Sequence, residues 1–160
     1  FGFGRKHSLI PSVLSNSSWQ YYPSGCALMI SSNFFKKIGV HDENLFFYGD
    51  EVDMSFKLSS IGESFTILKD VTIEHSYGKS TFIKKQKRNL FNEFYYQRAK
   101  IIIMNKYFPS RVILVRVSLI PILFWRLFFG YFNHLPLLLK IFFLTVSRLK
   151  STSFEDFKIK

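Results

Sequence analysis

A single cysteine, Cys26, stands in 160 residues. One thiol closes no intrachain disulfide, so a disulfide-stapled scaffold is excluded. Within the apolar stretch Cys26-Ala27-Leu28-Met29-Ile30 it reads as a small buried hydrophobe. Acids are scarce too: 11 stand against 22 lysines and arginines, a net charge of +11. No uncharged apolar run reaches the roughly 18 to 20 residues that a membrane-spanning helix needs. A Walker-type phosphate loop, a nucleophile elbow with a serine-histidine-acid set, zinc-ligand spacing and an internal repeat are all missing. Gly2 and Gly4 are too few for a dinucleotide fingerprint. The chain opens on Phe1-Gly2-Phe3-Gly4 without an initiating methionine, a signal peptide or the strand-helix alternation of a nucleotide-binding half, and the expectation is a carboxy-terminal fragment.

Against this background the segment Asn44-Leu45-Phe46-Phe47-Tyr48-Gly49-Asp50-Glu51-Val52-Asp53 places three carboxylates within four residues. The aromatic run predicts a short buried strand over 45–48, and the residues after Gly49 predict a helix over 50–60 stopped by Gly62. Two readings of the acids stand side by side. Acids in a first helical turn are favoured by the macrodipole and the unpaired N–H groups. Clustered like charges beside Phe46, Phe47 and Tyr48 also raise one carboxyl into general-base range.

Punctuation organises the rest. Residues 1–24 read as a loop with Trp19, Tyr21 and Tyr22 as its bulky content. A buried strand is expected over 25–31, a short helix capped by Asn33 and ending at Gly39, β-rich stretches over 65–68 and 71–74, and a long helix over 84–105 ended by Pro109.

The order of motifs resembles the second half of the family 2 glycosyltransferases, inverting enzymes of the GT-A fold, and most of all their bacterial rhamnosyltransferase-like members. The likeness rests on Ile38-Gly39-Val40-His41-Asp42-Glu43-Asn44-Leu45-Phe46, on the acids at Asp50-Glu51-Val52-Asp53, on His75-Ser76-Tyr77-Gly78-Lys79-Ser80, and on Tyr95-Tyr96-Gln97-Arg98 with Lys106-Tyr107-Phe108-Pro109. It covers about residues 19 to 110. It departs where the family has Glu-Asp and this chain has Asp50-Glu51, and where the family has arginine and this chain has Lys57. The resemblance implies an α/β fold class: the acceptor-side half of a GT-A type nucleotide-diphospho-sugar transferase fold over 1–108, followed by apolar membrane-associated helices over 109–160. It implies a base at Glu51, the second acid of the pair, with Asp50 as the competing choice and Asp53 as a supporting acid that orients the helix start or pairs with Lys57. It implies substrate contacts at Gly25, Tyr48, Gly49 and Ser80, with Trp19 and Tyr48 placed to stack on sugar faces or simply to pack. His75 is either an ordinary histidine or a ligand to a divalent metal, Mn2+ or Mg2+, beside the donor diphosphate. The family's Asp-x-Asp metal motif has no counterpart before Asp42, so the resemblance implies that this fragment alone lacks the donor half and is inactive.

The expected reaction is transfer of a hexose from a nucleotide-sugar donor to a glycan or lipid-linked acceptor during bacterial surface polysaccharide synthesis, at the cytoplasmic face of the inner membrane. The apolar weight after Arg111, punctuated by Arg116, Arg126 and Lys140 and by Pro121 and Pro136, predicts helices lying on the membrane surface, with a pair of spanning helices turning near 130–136 as the alternative. The cluster Lys84, Lys85, Lys87 and Arg88 carries no nucleic-acid motif, and no nucleic-acid partner is expected. A membrane-associated binding module without catalysis remains the competing class. Adjacent acids cannot flank a sugar from opposite sides, which excludes a glycoside hydrolase built on Asp50 and Glu51.

Overall fold

The computed structural model describes residues 25, 27–39, 41–63, 65–66, 68, 72–73, 85–154 and 156. Helices α1 (Ser32–Ile38), α2 (Asp50–Ser60), α3 (Lys85–Tyr107), α4 (Val112–Val117), α5 (Leu119–Phe128), α6 (Leu135–Phe143) and α7 (Val146–Ser151) follow one another, with 3-10 turns at Pro109–Arg111 and Phe132–His134. Among the described residues there is no β-strand.

The expected α/β class, a GT-A half with strands at 25–31, 45–48, 65–68 and 71–74, is therefore corrected: the described residues are all-helical. A strand needs a neighbour that accepts its backbone hydrogen bonds, and among the described residues these apolar runs are paired with none. Residues 28–30 carry no regular structure, and Met29 is 92% exposed. At 45–48 the chain bends instead. The Asp42 carboxylate accepts from the Asn44 N–H at 3.0 Å and the Asp42 carbonyl from the Leu45 N–H at 2.8 Å, a turn that drops Leu45 against Ala99 and Ile102. Of 65–68 and 71–74 only residues 65, 66, 68, 72 and 73 are described, and none is in a strand.

The helices lie close to where the sequence places them, for identifiable reasons. Ser31, rather than Asn33, caps α1, its hydroxyl accepting from the Phe34 N–H at 3.2 Å. Helix α2 has the expected bounds and closes with the Glu63 N–H on the Leu58 carbonyl and the Gly62 N–H on the Ser59 carbonyl. Helix α3, 23 residues and so roughly 35 Å long, ends at Tyr107 because Pro109 drives Phe108 out of the helical conformation, to φ -141° and ψ 63°. Pro121 falls in the first turn of α5 and Pro136 in that of α6, where the missing N–H has no helical partner to lose. The two prolines thus divide the apolar tail into short helices. No described helix is long and apolar enough to cross a membrane.

Helix α3 is the wall against which the rest is built. Its Phe94, Tyr95 and Ile101 share a core with Val115, Leu119, Leu137, Leu138, Ile141 and Leu149 of α4 to α7. Sealing a leucine such as Leu138 away from water contributes about 1.5–3 kcal/mol. Most positions from Phe94 to Ile102 are buried, the polar Gln97 and Arg98 among them, so α3 is covered on most of its circumference rather than along one stripe.

Two arginines finish the helices that pack on it. Arg98, 5% exposed, donates from Nε to the Leu149 carbonyl at 2.6 Å, from Nη2 to the Lys150 carbonyl at 2.7 Å and from Nη1 to the Asn44 carbonyl at 2.6 Å. Arg116 donates to the Ile141 and Phe142 carbonyls and, at 2.6 Å, to that of Leu144. The last carbonyls of α6 and α7, left without intrahelical donors, take guanidinium N–H groups instead.

Replacing Arg98 by methionine keeps the apolar stem but strips three carbonyls of their donor. The expected loss of unfolding free energy is about 3 kcal/mol, since each bond comes from a charged group. Urea unfolding followed by circular dichroism measures it, and a shift too small to resolve would show the three bonds to be dispensable.

Candidate functional site

Glu51 sits in the first turn of α2, and its Oε1 accepts the Gly25 N–H at 2.8 Å. The approach is close: a Cβ on residue 25 would lie 2.2 Å from that oxygen, so a larger residue there would require the Glu51 side chain to shift. Burial, followed by a hydrogen-bonding contact with the neighbouring Asp50 carboxyl, raises the Glu51 pKa; the Gly25 N–H works in the opposite direction without reversing it. Two of the expected site residues, Gly25 and Glu51, are thus in direct contact although 26 positions separate them.

Gly49 forms the turn into this helix with φ at 88°, a left-handed conformation that side chains resist. It also lies against α3, where a Cβ would meet the Ile103 Cδ1 at 2.5 Å. Its place is set by backbone packing. Tyr48, one residue earlier, meets Tyr96 edge to face at 5.9 Å and borders a cleft on α3 and α5. Trp19, His75 and Ser80 lie outside the described residues.

Asp53 faces the other way, about 200° around the helix from Glu51. It is 1% exposed. Its carboxylate accepts the Tyr107 hydroxyl at 2.7 Å and lies 2.7 Å from Lys106 Nζ and 3.2 Å from Lys57 Nζ. Phe56 stacks on Tyr107 beside it at 4.3 Å. Lys106 also reaches Asp42 at 2.9 Å. Burial pushes the Asp42 carboxyl up, but the hydrogen bonds from Lys106 and Asn44 outweigh it and hold the pKa at about 2. The first turn of α2 therefore splits its acids. Asp53 ties the helix to the end of α3, while Glu51 stays at the open edge with a proton affinity above the ordinary carboxylate range.

The carboxylates of Asp42 and Asp53 are engaged by the Lys106 ammonium, and no cluster of three metal-ligating side chains occurs among the described residues. The Mn2+ or Mg2+ ion was expected at His75, which lies outside the described residues.

A second constellation was missed from sequence. On α3, Glu93 accepts from Gln97 Nε2 at 2.8 Å and from Arg126 Nη2 of α5 at 2.6 Å, with His134 Nδ1 3.8 Å from the same carboxylate. The available signal was charge. Glu93 is the only acid between Glu74 and Glu155.

Comparison of the chain with family models, with curated proteins and with solved structures gives no match.

A raised Glu51 pKa means that the fold disfavours the charged carboxylate, so stability falls as pH rises from the unfolded value, about 4.3, through the folded one. Glu51→Gln keeps the bond to Gly25 and removes the charge. At neutral pH its urea midpoint should exceed the parent's, and the gap should close in acid, where Glu51 is already protonated. An equal midpoint at neutral pH would contradict the raised pKa. Asp42 works with the opposite sign: its contribution is present above the unfolded value of about 3.9 and is lost as pH falls through about 2.

Proposed function

We propose that this chain carries the base and the acceptor side of an inverting glycosyltransferase of the family 2 type, moving a hexose from a nucleotide sugar to a glycan or lipid-linked acceptor. The observation that supports the reading most directly is the Glu51 carboxylate, raised in pKa, next to Asp50 and oriented by the Gly25 N–H. A general base works best when its pKa approaches the working pH, and burial beside a second carboxyl moves Glu51 in that direction.

The step is a single displacement. Glu51 takes the proton of an acceptor hydroxyl as that oxygen bonds to the anomeric carbon. The bond from that carbon to the diphosphate oxygen breaks, and the nucleoside diphosphate leaves with the electron pair. Attack opposite the leaving group inverts the anomeric centre. Asp50 sustains the raised pKa of its neighbour, Gly25 holds the carboxylate in one orientation, and Asp53 fixes the helix that carries it. A divalent ion with His75 would neutralise charge on the departing diphosphate; it belongs to the proposal through residues outside those described.

The proposed location is the cytoplasmic face of a bacterial inner membrane. Phe124, Phe128 and Phe143 are 66%, 84% and 77% exposed, and the chain carries a net charge of +11, a combination suited to an anionic lipid surface. The same surface supports the second reading, a membrane-bound module without catalysis.

In the complete enzyme, Glu51→Gln should lower transfer by about 100-fold to 10,000-fold while donor binding stays within a few-fold of the parent, read as nucleoside diphosphate release and donor titration. Undiminished transfer would remove Glu51 from the role. A non-catalytic module would instead keep its partner binding when Asp50→Asn and Glu51→Gln are combined. For the membrane, Phe124→Ser with Phe128→Ser should weaken co-sedimentation with anionic vesicles by about tenfold or more. Unchanged sedimentation would place the contact elsewhere.

A further inference from the structure

We infer that the cleft between α3, α5 and the Phe132–His134 turn is a binding site for a glycosylated amphiphile, with Arg126 and His134 recognising hydroxyl groups of a neutral sugar and the adjoining apolar groove holding the hydrocarbon chain. The cleft encloses about 750 Å³ and is walled by Tyr48, Tyr96, Trp125 and Tyr131, with Glu93, Arg126 and His134 in its lining. It continues into a second groove of about 600 Å³, lined by Pro121, Phe124, Trp125, Leu127 and Phe128, so Pro121 and Trp125 belong to both.

Two buried polar atoms point to a ligand. His134 is 5% exposed, yet among the described residues its Nδ1 makes no hydrogen bond, and neither does the buried Arg126 Nε. Groups left unpaired in this way cost free energy that a bound partner recovers. The charges select what that partner is. The positive charge of Arg126 is committed to Glu93 at 2.6 Å, and burial, then the nearby Arg126, lowers the His134 pKa, favouring the neutral imidazole. A phosphate would meet the Glu93 carboxylate with no uncommitted cation beside it. A hydroxyl suits the site because it can both accept, as from Arg126 Nε, and donate, as to a neutral imidazole nitrogen. The aromatic walls supply apolar faces for the C–H side of a sugar ring. The groove beyond Trp125 is apolar throughout, which fits a chain of methylenes attached to that sugar.

The inference rests on the proposed transferase reading only in so far as the ligand is called an acceptor; binding itself requires the cleft alone. Octyl β-D-glucopyranoside, kept below its micelle-forming concentration, is the probe, and saturation-transfer NMR on the full chain is the measurement. Saturation is expected on both ring and chain protons, with methyl β-D-glucopyranoside and octanol each binding about tenfold more weakly or worse. His134→Leu, which fills the buried position, should reduce octyl glucoside binding to the level of octanol. Trp125→Ala, at a residue 60% exposed and so tolerated by the fold, should weaken both halves. Octanol binding as tightly as the glucoside, no binding of the glucoside, or unchanged affinity in both variants would each overturn the inference. The two readings fail separately: undiminished transfer by Glu51→Gln counts against the base and not against the cleft, whereas absent glucoside binding by the parent chain counts against the cleft and not against the base.

Discussion

The fold depends on one buried guanidinium. Arg98 stands near the middle of α3 and binds carbonyls from two distant parts of the chain, Leu149 and Lys150 on α7 and Asn44 in the turn before α2. A buried cation without acceptors is costly, and unpaired carbonyls at a helix end are costly as well. Each deficit is met by the other. The result is that the carboxy-terminal helix and the acid-bearing segment are registered on the same turn of α3, from opposite directions in sequence.

From that register the behaviour of the acids follows. The Asn44 carbonyl is fixed by Arg98, Leu45 packs on Ala99 and Ile102, and Gly49 lies against Ile103. These contacts walk the chain along α3 until Asp53 reaches Lys106 and Tyr107. Because successive helical residues point in different directions, anchoring Asp53 inward leaves Glu51 at the edge, facing Gly25. Neighbouring acids thereby acquire different surroundings, cations around Asp53 and, for Glu51, burial beside a second carboxyl; burial first, and Asp50 after it, raise the Glu51 pKa.

The basic excess also acquires a structural meaning. Arg98 and Arg116 end helices, Lys106 bridges two carboxylates, and Arg126 neutralises Glu93. Their charge is engaged by carbonyls and acids of the chain itself. The outward surface of α4 and α5 is left largely apolar, with Ile113, Leu114, Phe124 and Phe128 exposed. The proposed membrane association would therefore draw on this apolar face more than on Arg116 or Arg126, whose guanidinium groups are engaged by other groups of the chain.

Helix positions were legible because their signals are local: a serine or glycine at an end, a proline that forbids continuation, acids in a first turn. The bounds of α2 and the stop before Pro109 follow from such signals alone. The strands were misread for a non-local reason. An apolar run such as 45–48 satisfies strand and packed turn equally, and only the presence or absence of a partner for its backbone decides between them. Glu51 was visible as one of three clustered acids, but its distinction from Asp53 was not, since it depends on Lys106, Tyr107 and Gly25, which are remote in sequence. Glu93, Arg126 and His134 were hidden for the same reason: each is unremarkable alone, and their meeting requires α3, α5 and the Phe132–His134 turn to pack together. What the sequence by itself determined is the succession of helices and the place of the acids along one of them. Tertiary structure alone decided which acid is buried among cations, which stays open, and where unpaired polar atoms line a cleft, because burial and electrostatic environment are properties of packing between distant segments.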